Sequence, residues 1–196
     1  PSALSRVPLK TRTTIPGRFV GREEEQTQLR GLSGDIVLWG QPGVGKTALL
    51  ERMSEDEWGY FLVDDDRETI ANTVRRLDPI RIILDDAHFK IDLISQLRQL
   101  REEIGAKFNI VATCWPARVK DIRGHLGTSV TLEIPLLSRD EIAEVVGSAG
   151  LKGTEELIQA IIDQAQGRAG LATTLAWLCI SGQSIEVARG DALLAD

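Results

Sequence analysis

The octet Gly40-Gln41-Pro42-Gly43-Val44-Gly45-Lys46-Thr47 constrains this chain more than any other stretch. It follows the short apolar run "DIVLWG" (35–40) and opens the helical pattern "GKTALLERM" (45–53). Glycines in such a turn let backbone N–H groups point inward around an anion. The helix beginning near Gly45 adds its positive end. A lysine and a hydroxyl closing the turn suit a polyphosphate and its cation. Lys46 reaches the outer phosphates, and the Thr47 hydroxyl binds Mg²⁺. The spacing therefore predicts a phosphate cradle built from Gly40, Gln41, Pro42, Gly43, Val44, Gly45, Lys46, Thr47 and Ala48.

Two adjacent carboxylates, Asp85 and Asp86, end the apolar run "IRIILD" (80–85). Such a pair is costly unless positive charge lies nearby. The cradle supplies it: Asp85 is expected to hold Mg²⁺ through water. Asp86 either polarises an attacking water or caps the next segment. Thr113 ends the run "FNIVAT" (108–113) on the same sheet edge, where open α/β sheets place their ligands. It is expected to orient that water or to sense the γ-phosphate. Arg118 reads as a solvated arginine, Cys114 as a small buried residue, and His88 as a loop or packing residue.

Around these residues, apolar runs alternate with helical patterns. "YFLVD" (60–64) and "SVTLEI" (129–134) complete a set of five strands, with helices at 67–77 and 91–104. This predicts an α/β fold with a parallel five-stranded sheet covered on both faces. Beyond Pro135 the strands stop and helical patterns follow, with Ser138-x-x-Glu141 as a capping box and Thr154 as an N-cap. The expected division is a linker at 1–18, a nucleotide-binding domain at 19–135 and a helical lid at 136–196.

A net charge of −6 argues against a general nucleic-acid surface. Two cysteines far apart fit a reducing cytoplasm and give no disulfide framework. No apolar run approaches the roughly 18 residues of a membrane span. A guanine-reading Asn-Lys-x-Asp motif is absent from the sequence. A chain that opens at Pro1 is read as a piece of a longer protein.

In order and spacing, "FVGREEE", "IVLWGQPGVGKTALL", "RIILDDAH", "NIVATCW", "IPLLSRDEIAEVV" and "AQGRAGLATTLAWL" resemble the STAND P-loop ATPases. These are signal-transducing relatives of the AAA+ ATPases, and include NOD-like receptors of innate immunity and anti-phage defence proteins. The resemblance implies strand order 5-1-4-3-2, and it lays Val20, Gly21 and Arg22 over the adenine. The lid segment usually reads Gly-x-Pro. Here it is Gly167-Arg168-Ala169-Gly170, with Ala169 or Gly170 where proline is usual. Arg168 reads either as a lid arginine sensing the γ-phosphate or as a surface residue.

The implied function is an ATP/ADP switch with slow Mg²⁺-dependent hydrolysis. Its nucleotide would control homo-oligomerisation between an upstream effector and a downstream sensor. A short Asp at position 86, where fast ATPases often carry Glu, agrees with slow turnover. The alternatives are an AAA+ origin-recognition or DNA-loader ATPase, and a nucleotide-binding scaffold without turnover.

Overall fold

The computed structural model describes residues 2–8 and 19–181. They fall into two compact units. One gathers residues 2–8, 22–40 and 46–134; the other gathers 19–21, 41–45 and 135–181.

The first unit is built on a sheet of β1 (Leu4–Ser5), β2 (Asp35–Trp39), β3 (Tyr60–Leu62), β4 (Arg81–Leu84), β5 (Asn109–Cys114) and β6 (Ser129–Glu133). Their order is β1-β3-β4-β5-β2-β6. The connecting helices are α1 (Glu23–Gly31), α2 (Lys46–Glu55), α3 (Arg67–Leu77), α4 (Ile91–Ile104) and α5 (Val119–Leu126). Consecutive residues of the middle strands, such as Ile36, Val37 and Leu38 or Ile110, Val111 and Ala112, are all 0% exposed. Since successive side chains point to opposite faces, both faces of the sheet are covered there.

The sheet differs from the expected parallel five-stranded 5-1-4-3-2 in count and full order, because β1 is added at the edge beside the five expected strands, β3-β4-β5-β2-β6. It has six strands and is mixed, because β1 pairs antiparallel with β3 at one edge while the other neighbours are parallel. The added strand lies in the segment expected as a linker. Two residues, one apolar and one polar, carry no readable period. Ala3 and Leu4 are buried in the main core. The Ala3 carbonyl accepts from Val63 N at 2.9 Å, and its own N–H donates to Thr73 Oγ1 at 3.1 Å. The segment thereby covers backbone groups that an edge strand would leave exposed.

β5 lies between β2 and β4, with Leu38 opposite Thr113 and Leu84 opposite Ala112. One residue beyond the Leu84–Ala112 pair come Asp85 and Thr113, which is how residues distant in sequence meet. The opposite end of the sheet is fastened by a charged pair. Arg101 on α4 donates to both carboxylate oxygens of the buried Asp35, at 2.7 and 3.0 Å. Asp35 also accepts from Ile110 N at 2.8 Å, and Arg101 donates to the Phe108 carbonyl at 3.1 Å.

The second unit contains α6 (Arg139–Ser148), α7 (Glu155–Ala165) and α8 (Ala169–Ile180) around an apolar core that includes Ile142, Val146, Ile161, Ala165, Leu175 and Val20. Ser138 and Glu141 form a reciprocal capping box on α6, and Thr154 accepts from Leu157 N on α7. Before α8 the chain turns at Gly167, with φ 77°. A Cβ there would sit 2.7 Å from both the Leu137 carbonyl oxygen and the Leu136 Cβ, so glycine is required for space as well as conformation.

Candidate functional site

The cradle loop begins as a tight turn. Pro42 and Gly43 occupy its central positions, Gly43 has φ 77°, and Val44 N donates to the Gln41 carbonyl at 3.2 Å. Pro followed by Gly with positive φ is the sequence of a type II turn. Gly45, with φ 105°, delivers the chain into α2. Only glycine reaches that conformation without strain.

On the sheet unit, the loop is flanked by Gly40 and Lys46. Gly40 N donates to the Cys114 carbonyl at 3.4 Å, and Lys46 Nζ donates to the Gly40 carbonyl at 2.9 Å. Lys46 is only 6% exposed. Burial lowers its ammonium below the ordinary lysine value, while the charges of Asp86, Asp85 and Cys114 oppose that shift. A buried ammonium facing two carboxylates is a positive centre held in a low-dielectric surrounding, where its effect on a phosphate is strong.

Asp85, just past the end of β4, meets Thr113, the penultimate residue of β5. Thr113 Oγ1 donates to Asp85 Oδ1 at 2.7 Å and accepts from Asp86 N at 2.7 Å. Thr47 Oγ1 donates to Asp85 Oδ2 at 2.8 Å. Burial pushes the Asp85 carboxyl above its ordinary value. The hydroxyls of Thr113 and Thr47 pull it back, Asp86 pushes it further up, and Lys46 pulls it down. This carboxylate gains from a nearby cation.

Asp86 has φ 49° and ψ 43°, a left-handed conformation. It precedes the 3-10 turn Ala87–Phe89, yet its side chain makes no capping hydrogen bond. The capping alternative is thus not what this carboxylate does here. Strained backbone at such a position is typical of sites where a side chain is aimed by its surroundings.

The donor set fits Mg²⁺. Thr47 Oγ1 and the Asp85 carboxylate are hard oxygens side by side, and the desolvation that raises the half-buried Asp85 carboxyl is a cost a cation would offset. Among the described residues, no group of three or more His, Cys, Asp or Glu forms a metal site made of protein alone. Magnesium bound through one or two protein oxygens plus phosphates is consistent with both observations.

The remaining predicted residues fall outside this hydrogen-bonded group. Val20 packs into the core of the second unit, and a Cβ on Gly21 would lie 2.6 Å from Glu141 Oε1. Arg22 is buried, has φ 91°, and donates to Glu25 Oε1 at 3.1 Å. Arg168 donates to the Ala165 carbonyl and to Gln166 Oε1, both at 3.3 Å, so its guanidinium bonds the turn just before α8. Ala48 lies in the first turn of α2.

Arg118 pairs with Asp121 at 3.2 Å on the surface. The Cys114 thiol is buried and pushed up to about 11, chiefly by that burial, as an unreactive thiol would be. His88 packs against Phe89 and Trp115 in a three-ring cluster, with tilted rings and centroids 4.1 and 4.5 Å away. Neither of its ring nitrogens has a hydrogen-bond partner among the described residues. Burial holds its imidazole below the ordinary value; Lys46 and Arg118 lower it further, against Asp86 and Asp85.

Sequence reasoning missed the carbonyl of Gly43 as an acceptor. Gly170 N, in the first turn of α8, donates to it at 2.8 Å. The available signal was a glycine near the start of an otherwise apolar helix.

No protein-family model matches the chain. Replication factor C large subunit of Pyrobaculum calidifontis is 27% identical over 208 aligned positions, covering 89% of this chain. The chain spans 47% of that relative's length. Among solved structures, a RuvB variant from Thermotoga maritima superposes with TM-score 0.55 at 17% identity, covering 87% of this chain and 68% of RuvB. A katanin structure described for self-assembly gives 0.54 at 16% identity, covering 95% and 73%. The FIGL-1 AAA domain in complex with ADP gives 0.50 at 15%, covering 87% and 71%. With the six-stranded, mostly parallel sheet and its glycine-rich cradle, these likenesses show that the chain has the fold of AAA+ P-loop domains.

Proposed function

We propose that this chain binds ATP and ADP with Mg²⁺ and hydrolyses ATP slowly, as the nucleotide module of a larger switch. The observation that carries the reading is the linked set Thr47–Asp85–Thr113–Asp86 beside the buried Lys46. Lys46 and the loop N–H groups would bind the phosphates, with Thr47 and Asp85 holding the metal. When bound, Mg²⁺ would neutralise charge developing on the phosphates. Thr113 positions Asp85 and the Asp86 backbone, and Asp86 is the candidate acceptor of a proton from water. Its single methylene gives a shorter reach than Glu, which supports slow turnover. Val20, Gly21 and Arg22 are the proposed adenine contacts, and Arg168 the proposed lid arginine.

As a switch, the module would act by binding its nucleotides differently in two states, so that ATP exchange shifts their populations. Homo-oligomerisation driven by exchange, with an effector and a sensor elsewhere in the longer protein, is the fuller form of this proposal. A second reading is favoured by the replication factor C relative: an AAA+ origin-recognition or DNA-loader-type ATPase.

Single-turnover hydrolysis tests both. Wild type should convert bound ATP to ADP, and Asp86→Asn should do so at least about tenfold more slowly. Equal rates would remove Asp86 from the chemistry, and no conversion by either would leave a binding scaffold. Stimulation of wild type by primed DNA would favour the loader reading; indifference to DNA would favour the switch.

A further inference from the structure

Gly170 is the second residue of α8, and its φ lies in the ordinary range rather than the left-handed one. Its backbone therefore does not need glycine. In the first turn of a helix that costs stability relative to alanine. The reason for it is space. A Cβ at position 170 would lie 3.0 Å from the Gly43 carbonyl oxygen and 3.3 Å from Gly43 Cα. The contact closes with a hydrogen bond, Gly170 N to Gly43 O, at 2.8 Å. An N–H at this helical position has no acceptor within its own helix. Here the cradle loop provides one. Both residues belong to the same compact unit, with loop residues 41–45 grouped with the lid helices.

The bond has a directional consequence. In a trans peptide, the carbonyl of Gly43 and the N–H of Val44 point to opposite sides. With the carbonyl held by α8, the Val44 N–H points the other way, to the Gln41 carbonyl at 3.2 Å. The two bonds together fix the Gly43–Val44 peptide plane at the centre of the loop whose other N–H groups a phosphate would meet. The departure from Gly-x-Pro also gains a reason at this position. A proline at 170 would have no N–H to give, and its ring would fall where Gly43 already sits.

We propose that Gly170 is a positioning residue for nucleotide binding: it latches the start of the lid helix to the Gly43–Val44 peptide and keeps the cradle in its phosphate-accepting form. The inference rests on the nucleotide reading above. Movement of α8 away from the loop would release that peptide, so lid position and nucleotide retention become coupled.

Two measurements test it on the protein as it stands. Amide hydrogen exchange should show Gly170 N–H protected in the wild type, because its acceptor lies outside its helix. Dissociation of a fluorescent ADP should be roughly three- to tenfold faster for Gly170→Ala, the scale of one hydrogen bond. Alanine favours the helix itself, so an unfolding midpoint at or above wild type would show that the effect is not loss of fold. An unprotected Gly170 amide, or an unchanged release rate in a folded Gly170→Ala protein that binds ADP, overturns the latch. Failure of the wild type to bind ADP at all overturns the nucleotide reading, and the inference falls with it.

Discussion

Thr113 and Asp85 are joined by a 2.7 Å hydrogen bond across adjacent parallel strands, and the same threonine oxygen receives the Asp86 N–H at 2.7 Å. One fully buried hydroxyl thus holds both members of the carboxylate pair. Thr113→Val keeps the shape and removes the hydroxyl. It leaves Asp85 and the Asp86 N–H each short of a partner, at a cost of about 1–3 kcal/mol. Denaturant unfolding should show that loss. Single-turnover hydrolysis should fall more than ADP affinity does, because Thr113 bonds Asp85 and the Asp86 backbone.

Asp85 also predicts a pH dependence. Its carboxyl is raised above 3.8 in the folded protein, first by burial. Between the unfolded and folded values the native state binds more protons than the unfolded one, so stability falls as pH rises through that window. The contribution is unfavourable at neutral pH unless a cation offsets it. Asp85→Asn removes the term. Its unfolding free energy should therefore gain on wild type as pH is raised from about 4 towards neutrality. A constant difference across that range would show that Asp85 is not held under this strain.

The Arg101–Asp35 pair should behave as a fastening with no part in binding. Removing the guanidinium strands a buried carboxylate, at a cost of about 3–5 kcal/mol. Arg101→Met should lower the denaturation midpoint accordingly, while molecules that remain folded keep their ADP affinity. Loss of affinity at unchanged stability would contradict this assignment.

The glycine turn leading into α2 was legible in the sequence because it is local: eight consecutive residues carry the glycines, the lysine and the hydroxyl. Asp85 and Thr113 were legible for a different reason. Each ends a continuous apolar run, and parallel strands bring such ends to one edge. β1 was not legible, since Leu4–Ser5 is too short to show a period and its pairing with β3 is a tertiary event. The Gly43–Gly170 contact escaped for the same reason. A glycine in a helix is a weak local signal, and its meaning appears only when the approaching backbone is known. Arg168 shows the limit from the other side: its sequence position left two readings, and its guanidinium bonds the Ala165 carbonyl and Gln166.

Phosphate binding by this loop and Lys46 is read out by titrating fluorescent ADP, with and without Mg²⁺, into wild type and Lys46→Ala. Lys46 is buried with its ammonium on the loop's first carbonyl, so alanine removes the positive centre while leaving the glycine turn. Wild type should bind saturably and more tightly with Mg²⁺, and the variant should lose at least about a hundredfold in affinity, the scale of a lost charge-assisted contact to phosphate. Equal affinity for the two proteins, or no binding by the wild type, would contradict this role for the loop and Lys46.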